Sequence, residues 1–147
     1  MKPIYIINGP NLNRLGKREP EIYGTTTLAE IETMCRHAAG RRPIHFLQTN
    51  AEAEMIDCIH EAIDESAGIV INAAALTFTS LAVLDALKMF PGPIIELHIS
   101  NIHRREELYH HSLVSKAATA VIVGLGAKGY PLAVEAMLGL IDRPSRR

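Results

Sequence analysis

Cysteine is scarce in this 147-residue chain: Cys35 and Cys58 are the only two, and each falls within an apolar pattern of helical spacing. That excludes the disulfide framework on which small secreted domains depend and points to the reducing cytoplasm. An excess of charge of one sign is also missing, with 15 Lys and Arg against 16 Asp and Glu and a formal net charge of -1. Without a strong overall field the chain has no general attraction for nucleic acid or an anionic membrane. Only the terminal RPSRR is locally basic, and it reads as a solvated end. No apolar run approaches the ~20 residues a membrane span needs. The N-terminus carries only Lys2 ahead of a short apolar segment, which argues against secretion. Internal repeats, low-complexity tracts and interdomain linkers are absent too, so residues 1–147 read as a single domain.

What remains is a globular composition, 48% hydrophobic and 21% charged. A chain of this length can bury ~70% of its unfolded surface without disulfides or metal. Short apolar, β-branched runs (PIYII, PIHFLQ, GIVINA, GPIIELHIS, ATAVIVGL) alternate with amphipathic stretches of helical period. The pattern predicts an α/β fold, a flavodoxin-like, doubly wound, five-stranded parallel sheet with helices on both faces. The first helix is expected to open at Thr27, with Glu30 completing a T-x-x-E capping box, and to stop near Gly40. The second should run from Asn50 as N-cap to about Ser66, with Met55, Ile56, Ile59, Ala62 and Ile63 on one face. The third should span Ser80 to Met89, and a closing helix 128–141. Ligands of such sheets bind beyond the carboxyl ends of the strands. The segments 8–23, 48–50, 72–79 and 98–105 therefore converge on one edge.

Several motifs invite chemistry. GLGAKG at 124–129 matches G-x-G-x-x-G, but it follows the last strand and lacks a downstream acidic residue, so it reads as a strand-to-helix turn rather than a dinucleotide site. Seven histidines, with His103, His110 and His111 clustered, show no common metal-ligand spacing and read as a polar face. His98 differs: it ends a strand at the ligand edge, and Glu96, two residues back, projects from the same side. A carboxylate there can fix the imidazole tautomer and favour its charged form, as a proton donor requires.

The first loop, NGPNLNRLGKREPEIYG over 8–24, is too long to be a bare connector and reads as a binding lid. A phenol of ordinary acidity, ~10, is a poor base near neutrality. A guanidinium ~4 Å away favours phenolate by ~4 kcal/mol at an effective dielectric near ~20. Arg18 beside Tyr23 could thus make a working general base, whereas an exposed arginine and a tyrosine anchoring the loop is the plain alternative.

Taken in order, NGPNLNRLGKREPEIYG, QTNAEAEMIDCIHEA, INAAALTFTS, IIELHISNIHRREELYHHS and IVGLGAKGYPLA resemble the type II 3-dehydroquinate dehydratases across essentially the whole chain. The resemblance implies elimination of water from 3-dehydroquinate to 3-dehydroshikimate without cofactor or metal. It implies a flavodoxin-like subunit assembled into a dodecamer of trimers, in shikimate or quinate metabolism. By position, Tyr23 looks like the base with Arg18 activating it, and Asn11 would hold a water or the enolate. His98, oriented by Glu96, would be the acid. The Ile99 and Ser100 amides would take the substrate carboxylate, Asn72 and Arg105 would add substrate contacts, and Asp85 would reach a neighbouring subunit's site. Residues 17–24 would form the lid.

The chain departs from the family pattern in the hydroxyl-reading part of the pocket. Ala74 and Ala75 replace glycines, Phe78 replaces a histidine, and Tyr109 replaces an arginine. An unpartnered buried hydroxyl costs ~1–3 kcal/mol. Three expectations follow: a dehydroquinase with compensated contacts, an enzyme of a related and less hydroxylated hydroxy-ketone, or a non-catalytic binding protein of the same fold.

Overall fold

The computed structural model describes residues 1–143, so all of the basic tail beyond Arg143 lies outside the described residues. Five parallel strands, β1 (Ile4–Asn8), β2 (Ile44–Gln48), β3 (Gly68–Asn72), β4 (Ile94–His98) and β5 (Ala120–Val123), pair in the order β2-β1-β3-β4-β5. The helices are α1 (Pro20–Tyr23), α2 (Leu28–Ala39), α3 (Glu52–Glu65), α4 (Leu76–Thr79), α5 (Leu81–Lys88) and α6 (Gly129–Ile141). The chain reverses direction across the sheet between β1 and β3, and there the crevice of a doubly wound sheet opens.

The three central strands are buried on both faces, as expected where helices cover a parallel sheet on each side. Alternation along each strand assigns the faces. Ile4, Ile6, Val70, Ile95 and Leu97 pack with Ile31 and Cys35 of α2 and with Tyr130, Ala133, Val134 and Met137 of α6. Tyr5, Ile7, Ile69, Ile71 and Ile94 pack instead with Met55, Ile59 and Ala62 of α3 and with Val83, Ala86 and Leu87 of α5.

The Thr27 box forms as expected: Glu30 N–H donates to Thr27 Oγ1 at 3.2 Å and Thr27 N–H to Glu30 Oε1 at 3.1 Å. α3 starts later than the sequence suggests. Its first residue is Glu52, with Ala51 at the cap, because Thr49 Oγ1 takes the Ala51 amide at 3.0 Å and the Asn50 side chain is engaged elsewhere. Ser80 is the N-cap of α5 rather than its first turn, accepting from the Val83 amide at 2.9 Å. The 101–112 segment carries two 3-10 turns, Ile102–Arg104 and Glu107–Tyr109. Among the described residues, no helix is long and apolar enough to cross a membrane.

Candidate active site

Everything at the carboxyl edge of the sheet is tied by amides. Gly9 N–H donates to Asn72 O at 2.8 Å, which zips the loop after β1 to the end of β3. Gln48 Nε2 reaches Gly9 O at 3.1 Å and Asn50 Oδ1 at 3.1 Å, and Asn50 Oδ1 also accepts from the Asn11 amide at 3.0 Å. These bonds hold Asn11 at φ 72°, a left-handed conformation that asparagine tolerates better than most side chains. Beneath the cleft, fully buried Tyr130 of α6 donates to Asn8 Oδ1 at 2.7 Å and accepts from Asn72 Nδ2 at 3.0 Å. Burial pushes its phenol well above the ordinary value. Asn72 Oδ1 in turn takes the Ala74 amide at 3.2 Å. Ala74 sits at φ 52°, a strained position on the cleft wall.

The resulting cleft, with about 80 Å³ of free space, is small enough that a bound ring touches its walls. Asn11, Arg18, Tyr23, Asn72, Ala74, Ala75, Phe78, His98, Ile99, Ser100 and Arg105 all line it. Sequence reasoning named each of them, from segments far apart in the chain. Glu96 lies behind His98, with Oε2 2.5 Å from His98 Nε2. Ser112 Oγ donates to Glu96 Oε2 at 2.7 Å, and Ser115 Oγ donates to Oε1. Burial by itself would raise the Glu96 carboxyl, but the bonds from His98, Ser115 and Ser112 outweigh it and hold the group below the usual carboxylate range.

A stability consequence follows from that direction. The native carboxyl titrates below the unfolded one, so the Glu96 contribution is fully present above the unfolded value and is lost as pH falls through the native one. Glu96→Gln removes a titrating group, so the stability of the variant should fall less steeply on acidification than that of the wild type. Urea unfolding midpoints measured from neutral pH downward check this, and parallel curves would contradict it.

The 17–24 segment, expected as a lid, contains a single helical turn, α1, entered through Glu19 at φ 36° and left through Gly24 at φ 78°. Arg18 Cζ stands 4.8 Å from the centroid of the Tyr23 ring, and Arg105 Cζ 5.7 Å from it. The phenol is therefore flanked by two guanidinium groups where the sequence suggested one.

Two further expected positions can be placed. Tyr109, expected among substrate-binding positions, is not among the residues that line the cleft. Its ring meets the Phe78 ring at 5.4 Å in an edge-on arrangement and carries the Arg105 guanidinium at 4.0 Å, so it packs against two residues that do line it. Asp85 is exposed on α5 and does not enter the cleft of its own chain. GLGAKG is a structural turn: Gly124 and Gly126 donate to His98 O and Ile99 O at 3.2 and 3.0 Å, bracing the end of β4. The positioning residues Gln48, Asn50, Tyr130, Ser112 and Ser115 were missed. Only the S-x-x-S spacing of the last two offered a local signal, as a capping pattern.

The chain matches the model of the dehydroquinase class II family over residues 2–138. It is 56% identical to 3-dehydroquinate dehydratase 2 of Agrobacterium fabrum over 143 residues, 95% of this chain and 97% of that one. It is 57% identical to the 3-dehydroquinate dehydratase of Bartonella bacilliformis, covering 90% and 85% of the two chains. The crystal structure of the type II dehydroquinase from Propionibacterium acnes superposes with a TM-score of 0.90 at 44% identity, over 95% of this chain and 97% of that chain.

Proposed function

The chain belongs to the class II dehydroquinase family and is a hydro-lyase, and from that premise we propose that it dehydrates 3-dehydroquinate through an enolate, with Tyr23 as general base and His98 as general acid. The observation that carries the reading is that the Arg-flanked phenol and the Glu96-held imidazole line one cleft.

The chemistry sets three demands: a base for the proton next to the ketone, donors at the oxygen that becomes an enolate, and an acid at the leaving hydroxyl. The Tyr23 phenolate takes the carbon-bound proton, and the C–H electron pair passes into the enolate. Arg18 and Arg105 stand against the Tyr23 ring, 4.8 and 5.7 Å from its centroid. Asn11 holds the enolate oxygen or a water upon it. The ketone then re-forms, the C–O bond breaks, and His98 delivers its proton to the departing oxygen, which leaves as water. Glu96 fixes the imidazole orientation through its contact with Nε2. The Ile99 and Ser100 amides, with Arg105, take the carboxylate. Each step is a proton transfer to or from a side chain of this chain, so the mechanism requires no cofactor.

Lid residues 17–24 shut over the ring and exclude water. Assembly into a dodecamer of trimers brings Asp85 to a neighbour's cleft, a role supported by its exposed place on α5 between Leu81 and Met89, 65% and 55% exposed. Free Cys35 and Cys58 fit a cytoplasmic setting.

The direct test is conversion of 3-dehydroquinate to the conjugated enone, followed by near-ultraviolet absorbance in the presence of a chelator and without nucleotide. The enone should accumulate at a rate proportional to protein. An unchanged spectrum at millimolar ketone overturns the proposal.

A further inference from the structure

Resting on the proposed dehydration, we infer that this cleft recognises its substrate by the carboxylate and the reacting ketone and does not read the ring hydroxyls that survive the reaction, so that the enzyme accepts cyclic β-hydroxy-ketone carboxylates lacking them.

Asn11, Arg18, Tyr23, Asn72, His98, Ser100 and Arg105 are the polar side chains of the cleft, and the proposed reaction commits all but Asn72 to the carboxylate, the enolate, the base or the acid. Ala74, Ala75 and Phe78 form a stretch of wall that offers no side-chain donor or acceptor. Phe78 is held against the wall by two ring contacts. Its ring stacks on the His98 imidazole, with centroids 6.0 Å apart and planes at 26°, and its edge contact with Tyr109 at 5.4 Å locks it from behind. Tyr109 in turn is pinned by Arg105 at 4.0 Å. His98 and Asn72 are the polar side chains beside this wall among the described residues; His98 is committed to the leaving oxygen, and the Asn72 amide gives one hydrogen to Tyr130 while its oxygen accepts from Ala74. A ring hydroxyl facing Phe78 therefore gives up water without gaining a partner from that ring or from Ala74 and Ala75.

Specificity magnitudes make this measurable. A site built to hydrogen-bond a substrate hydroxyl rejects the analogue lacking it by about 10⁴–10⁵-fold, because its own polar groups are left unpaired. A wall without such groups has nothing to leave unpaired.

The experiment compares kcat/KM for 3-dehydroquinate with that for two analogues, each lacking one of the two ring hydroxyls retained in the product. Both analogues should be used within about tenfold of 3-dehydroquinate, well short of the rejection expected from a hydroxyl-reading site. A larger loss with either overturns the inference. If no ketone is dehydrated, the proposed reaction fails on its own. Calorimetric affinities of the same three ketones then decide the inference by the same tenfold limit, and absence of binding by all three overturns both. Phe78→His provides the complementary arm, placing a ring-nitrogen donor on the wall in a side chain of similar shape. With the unfolding midpoint preserved, its preference for the fully hydroxylated ketone should rise tenfold or more, a step toward the discrimination of a hydrogen-bonding pocket. An unchanged preference counts against the inference.

Discussion

Tyr23→Phe is expected to lower kcat for 3-dehydroquinate by about 10²–10⁴-fold, the range a positioned general base contributes, while leaving KM little changed. The variant keeps the ring that Arg18 and Arg105 face at 4.8 and 5.7 Å, so lid packing is retained and only the oxygen is lost. An interaction used only in the transition state shows itself in kcat, whereas a loop anchor that merely binds substrate would show itself in KM. The two roles that the sequence left open for Tyr23 are thereby separated in a single steady-state measurement. Turnover within a few-fold of wild type would remove the phenol from the chemistry, and with it the purpose assigned to Arg18.

How far the chain announces itself depends on the distance between partners. The sheet was legible because each central strand is rich in β-branched and apolar residues, and Thr27 with Glu30 was legible because both halves of the cap lie within one turn. Glu96 and His98 were legible because a strand repeats every second residue. Asn50 was misread as a helix cap because the amide it serves belongs to Asn11, 39 residues earlier. Tyr130 went unnamed because its hydroxyl partners, Asn72 and Asn8, are 58 and 122 residues away. Tyr109 was assigned to the pocket by position, yet its packing against Phe78 and Arg105 depends on side-chain sizes that no periodicity encodes. Residue types and their spacing thus pointed to the segments that line the cleft, and long-range hydrogen bonds supplied its geometry.

Gly9→Ala tests that dependence at the closest backbone approach in the site. A Cβ built on Gly9 would stand 2.4 Å from Ala73 O and 2.6 Å from Ala73 C, and these are backbone atoms that cannot rotate away. Positive φ is not the issue here; the loop after β1 and the segment after β3 simply run too close for a methyl group. Relief requires the two segments to part by the better part of an ångström, which strains the Gly9-to-Asn72 bond and the Gln48 bond to Gly9 O. Overpacking of this kind costs about 1–3 kcal/mol, and the backbone location places this case toward the upper end. The functional loss should be larger than the stability loss suggests. Asn11 lies two residues beyond Gly9 and Ala74 one beyond Ala73, so the shift enters the cleft from both sides, and a displacement of ~1 Å can reduce turnover by ~10²-fold. We therefore expect a folded variant with a lowered urea midpoint and kcat/KM reduced by about two orders of magnitude. Wild-type kinetics would mean that the loops separate without disturbing Asn11 or the Ala74 wall, so that the amide lattice supports the fold alone. A second variant, Asn50→Ala, cuts the bond to the Asn11 amide without adding bulk, and a fall in its kcat as well would trace the loss to the position of Asn11 rather than to the clash.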